Sequence, residues 1–130
     1  MNILKPVDVE NEIRLALSDL FDVYVRPLPE SYPLPCLLVT ATGGSTRDTV
    51  DTFTVRIDAR AKTDADAVDI LTDAIGVIEE KARQQVGAIR HVIMNGLASW
   101  GSDPARPDLK LCTATFIVVA HRQAKTIKES

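Results

Sequence analysis

Between Phe53 and Arg83 the hydrophobic pattern changes period once, with almost no linker. Phe53, Val55, Ile57, Ala59 and Ala61 alternate with Thr54, Arg56, Asp58, Arg60 and Lys62. That period of two predicts a strand with one apolar and one wet face. Thr63 then opens a helical pattern. Val68, Leu71, Ile75 and Ile78 make a stripe with Ala67, Ala74 and Ala82 in or beside it, while Asp66, Asp69, Asp73 and Glu80 lie opposite. Thr63 suits an N-cap, and Asp64 and Asp66 suit a first turn. Ile70 and Val77 fall past the edge of the stripe, where they read as a wide core face or as a subunit contact; the core face is the plainer account.

Upstream, Val9, Ile13, Ala16, Leu17 and Leu20 share one face of a helix predicted from Pro6 or Asp8 to Leu20. Asp22–Arg26 alternates as a short strand. Pro27, Pro29, Pro33 and Pro35 follow, removing backbone donors and restricting their predecessors, so this stretch reads as a stiff surface crossover. Cys36–Ala41 reads as a buried strand ended by a turn at Gly43-Gly44. Ser45–Asp51 is polar and fits either a loop or the start of the next strand. Ala88–Ala98 and Leu109–His121 are two further strands, joined by a loop over 99–108 and most simply forming a hairpin. The order is αβββαββ. It predicts an α+β domain over residues 1–122, a mostly antiparallel sheet with two helices on one face, and a frayed polar tail over 123–130.

Composition narrows the class without naming a chemistry. The 130 residues are 45% hydrophobic and 25% charged with a net charge of −3. This is ordinary for one folded domain and too mild to predict specific nucleic-acid binding. The apolar runs are short and strand-like, and Met1–Pro6 lacks a signal-peptide pattern, so a cytosolic chain without membrane contact is expected. Cys36 and Cys112 stand in or beside apolar runs and read as reduced core thiols, with a disulfide as the alternative.

Each candidate for chemistry has a plainer account. His91 and His121 lie in predicted strands without ligand-spaced partners. The row Asp66, Asp69 and Asp73 diverges from a straight helix, whereas a calcium cage converges from a curved loop, so it reads as a solvated face. Gly43-Gly44 lacks the pattern of a phosphate loop, and no serine stands in a nucleophile elbow. No catalytic, cofactor or metal residue is assigned, and an enzyme is not expected. Arg56 and Arg60 share the polar side of their strand and read as ordinary surface or as a face that meets a partner or lines a channel. Trp100 sits in a Gly/Pro-bounded stretch that also holds Arg106. Folding back over its own core is the favoured account of Trp100, and its loop is the best interaction candidate.

In layout the chain resembles the tail-terminator and head–tail joining proteins of long-tailed phages and prophages. Phe53, Val55, Ile57, Asp58, Ala59, Ala61, Ala65 and Ala67 follow that family's alternating strand running into an Ala- and Asp-rich helix. The N-terminal helix, the Pro-containing crossover and the closing hairpin over 88–122 fit as well. The resemblance covers nearly the whole chain and rests on no single diagnostic motif. It implies a structural protein of virion assembly that forms a ring, usually hexameric, at the head-proximal end of the tail tube. Its partners would be itself, the tail tube protein and the head–tail connector. It would act in the host cytoplasm during assembly and reside in the virion tail or neck. Ile70 and Val77 would then contribute to ring contacts, and the loops carrying 46–51 and 100–108 would face partners. A head-completion protein, a small-molecule-binding domain and a monomeric adaptor are the alternative readings.

Overall fold

A computed structural model of the chain describes residues 1–48, 50–94 and 98–128. Residue 49 of the polar stretch, residues 95–97 of the predicted strand and residues 129–130 of the tail lie outside them. The chain runs β1 (Asn2–Lys5), α1 (Val9–Leu17), β2 (Val23–Val25), β3 (Cys36–Arg47), β4 (Val50–Ala61), α2 (Asp64–Arg83), β5 (Ile89–Met94), β6 (Ser99–Gly101), β7 (Lys110–Ala120) and β8 (Gln123–Thr126). The architecture is α+β, with the predicted αβββαββ order at its centre and three short strands added to it.

The main sheet is ordered β2-β3-β4-β7-β5, with β6 also paired to β7. Among the described residues only β2 and β3 run parallel; the remaining pairs are antiparallel. Along β4 the predicted alternation places Val55, Ile57, Ala59 and Ala61 in the core. Register aligns Val39 with Ile57, and Ala114 with Ile57 on the other side, so one face of three long strands is continuously apolar. Both helices cover that face. α2 packs over β4, β5 and β7, and α1 over β2, β3 and α2. Ile13, Leu17, Leu71, Ile78 and Phe116 are fully buried between the layers.

Local chemistry fixes the helix ends. The Asp8 carboxylate accepts from Asn11 N, and the Thr63 hydroxyl from Asp66 N, each satisfying one of the free donors of a first turn. Two polar ties lock the helices to their neighbours. Glu10 Oε2 accepts from Ala41 N at 2.7 Å, and Lys81 Nζ donates to Ala16 O at 2.6 Å.

Several expectations are corrected. α1 ends at Leu17 rather than Leu20. Gly43-Gly44 does not end the strand: β3 bulges between Ala41 and Gly43 and continues to Arg47. Gly43 takes φ +154, and a Cβ on Gly44 would lie 2.3 Å from Thr52 O, so the glycines permit a close backbone approach inside a long hairpin. Trp100 lies in a short strand rather than a loop. The tail is not frayed over 123–126, where β8 pairs antiparallel with β1. These two strands form a separate ribbon that makes little contact with either helix or the main sheet.

Candidate functional site

The sheet face opposite the helices carries the residues singled out on the polar side of β4, and the structure separates them. Arg56 is exposed, with its Nε 3.4 Å from Asp58 Oδ2. Asp58 is buried and also accepts from the Thr113 hydroxyl at 2.6 Å. Arg60 is not a wet surface residue: it is 9% exposed. Its Nη1 donates to Asp103 Oδ2 at 2.9 Å, and its guanidinium lies 6.0 Å from the centroid of Tyr32. The Arg106 guanidinium lies 5.9 Å from the same ring and is paired with Asp108. The Arg60 bond, joined by Ala105 N, holds the Asp103 carboxyl below its usual range. The crossover and the 102–108 loop are therefore pinned over one end of this face by Arg60 and Arg106. Both side chains are engaged within the chain, as cation–aromatic and ion-pair contacts allow. The alternation signalled a polar face but not its cover, because Tyr32 and Asp103 are distant in sequence.

The interface candidates also divide. Ile70 is 9% exposed and belongs to the core, so its side chain is not free surface; Val77 is half-buried against the same core. A helix covering three strands and touching a second helix needs an apolar arc wider than a narrow stripe, which accounts for both. The outer edge of Ile70 lines a groove of about 450 Å³ between the end of α1 and the start of α2. Leu20, 62% exposed, Phe21, Pro35, Asp22, Asp66, Asp69 and Asp73 line it too.

At the opposite end of β4, Asp51 is 3% exposed. Arg122 Nε and Nη2 donate to its two carboxylate oxygens at 2.9 and 3.0 Å, and Thr46 Oγ1 donates at 2.7 Å. Those bonds, Arg122's first, hold the Asp51 carboxyl below its usual range. The clasp fixes the start of β8, while Val7, buried with Ala88 and Ala120 against Phe53, fixes the end of β1. Sequence reasoning missed both anchors. The available signal was an acid, Asp51, at the end of a polar stretch beside an apolar strand pattern.

Trp100 pairs in register with Cys112 yet is 57% exposed; its ring does not cap the core. Ile93 and Met94 on the edge strand β5 are exposed nearby in the sheet order. Cys36 and Cys112 are free and buried, and burial pushes the Cys36 thiol up to about 11. His91 and His121 are exposed. Among the described residues no cluster of His, Cys, Asp or Glu could hold a metal, and no helix is long and apolar enough to cross a membrane. Compared with known proteins, the chain matches no family model and no curated sequence.

Proposed function

We propose that this protein is a structural, non-catalytic component of long-tailed phage or prophage assembly. In this reading it forms a ring, hexameric as in the proteins its layout resembles, at the head-proximal end of the tail tube. There it stops tube growth and offers a docking surface to the head connector. It works in the host cytoplasm during assembly and remains in the virion tail or neck.

The observation that carries the reading is a one-sided fold whose apolar side chains continue beyond its own cover. Ile93 and Met94 stand exposed on an edge strand, with Trp100 on β6. A lone exposed apolar side chain is commonplace, but an edge strand is where a further chain pairs, and Ile93 and Met94, as successive strand residues, offer one apolar side chain to each face of the sheet. The bare sheet face that displays Arg56 is then the surface turned toward the lumen or the tube. Val77 lies within its own core packing and adds little to this reading.

Light scattering coupled to size exclusion, over a concentration series with and without tail-tube protein, tests it. A mass near six chains in either condition supports the ring. A monomer in both overturns it.

A further inference from the structure

We propose that the β1–β8 ribbon of one chain docks in the α1–α2 groove of a second copy, so that chains join head to tail. The proposal rests on the ring reading in taking a second copy as the occupant, but its chemistry comes from two surfaces of this chain.

The ribbon is an incomplete element. An isolated two-stranded antiparallel pair is marginal in water without further cover, and this one finds little on its own body. Register places Ile3 opposite Lys125, and Met1 and Ile127 bond backbone to backbone one step further out. One face of the ribbon thus carries Met1, Ile3 and Ile127 together with Lys5, Gln123 and Lys125, with Ile3 half-buried, and the exposed Leu4 lies on the other face. Met1 and Ile127 are exposed. Residues 1–6 and 121–128 contain no acidic side chain, and Glu129 follows Lys128 in the sequence. The anchors at Val7 and at Asp51–Arg122 hold both legs of the ribbon against the sheet end, so it projects as a directed arm.

The groove is the complement. Leu20 and Phe21, with the edge of Ile70, line it beside the carboxylates of Asp66, Asp69 and Asp73. A groove lined by apolar and acidic side chains complements a ribbon that carries apolar and basic ones, and charge complementarity of that kind favours one orientation of a contact. The ribbon leaves the Asp51 end of β4, whereas the groove is lined by Pro35, next to the β3 residue that pairs with Arg60, and by Asp66, Asp69 and Asp73 in the first half of α2. Placing complementary patches at opposite ends makes a heterologous contact, which closes into a ring or runs on as a filament.

Two charge-reversed proteins test the contact: Lys5→Glu with Lys125→Glu on the ribbon, and Asp69→Lys with Asp73→Lys on the groove. All four positions are exposed, and circular dichroism confirms that each variant is folded. Sedimentation velocity reads the assembly. The unaltered chain is expected to assemble, and to dissociate as salt is raised. Each variant alone opposes like charges and should assemble at least about tenfold more weakly. Mixed in equal amounts, the two variants present opposite charges at every junction of an alternating ring, and assembly should return. A reversal that leaves assembly unchanged, or folded variants that stay apart when mixed, overturns the contact while leaving a ring built on other surfaces. If the unaltered chain is monomeric at every concentration, the contact is overturned, and tube-end capping then decides the ring reading separately.

Discussion

Replacing Arg122 with leucine removes the cation from a nearly closed carboxylate site, and the structure sets the size of the penalty. The Asp51 side chain keeps only 4% of its surface exposed, whereas that of Arg122 keeps 22%. Breaking a wholly buried pair by deleting one partner costs about 3–5 kcal/mol. Water reaches Arg122, and Thr46 still donates to Asp51, so about 2–3 kcal/mol is expected. For a domain of this size that lowers the melting temperature by roughly 8–12 °C. Deleting the acid instead, as Asp51→Asn, leaves an arginine that can turn to solvent, and should cost less, about 1–2 kcal/mol. The pH dependence has a definite sign. Hydrogen bonds from Arg122 first and Thr46 second depress the folded-state pKa of Asp51. The pair's contribution is therefore complete above the unfolded-chain value and is lost as pH falls through the lower folded value. Urea unfolding followed by far-ultraviolet circular dichroism measures it. The Arg122→Leu deficit should be full at about pH 7 and narrow toward about pH 3. A deficit that is pH-independent, or smaller than that of Asp51→Asn, would refute the assignment of Asp51 as the trapped charge.

Three further outcomes follow from the packing. Phe116→Ala empties a fully buried site at the centre of β7 and should cost about 3–5 kcal/mol in urea unfolding; a loss below about 1 kcal/mol would mean the core is not built around it. Gly44→Ala sets a Cβ against Thr52 O and should cost about 1–3 kcal/mol through displaced backbone; an unchanged unfolding midpoint would contradict the close approach. Cys36, fully buried with its thiol pushed up to about 11, should react with iodoacetamide near neutral pH only as fast as the chain opens; rapid labelling without denaturant would contradict its burial.

The central elements were legible because their signals are local. The alternation from Phe53 to Ala61 and the stripe from Ala67 to Ala82 each report a buried face through period alone, and both faces meet in the structure. What escaped depends on partners far apart in sequence. Tyr32 meets Arg60, and Asp51 meets Arg122, across separations no window spans. The ribbon was missed because Gln123–Thr126 is four residues of mixed polarity, and its strand character comes from pairing with Asn2–Lys5. Trp100 was misread for a related reason. Gly101 and Pro104 signal a turn, but β6 is held by the neighbouring β7 rather than by its own propensity. Ile70 lies in the core, the plainer of its two accounts, because α2 covers three strands beside α1 and its buried arc is wider than the stripe alone.

The most direct test is electron microscopy of growing tail tubes with and without the protein. Tubes of limited length with a ring at one end are expected when the protein is present, and uncapped growth should recover with the ribbon-reversed variant. Tubes of unchanged length with bare ends, at protein concentrations well above those of the tube ends, would contradict the ring reading.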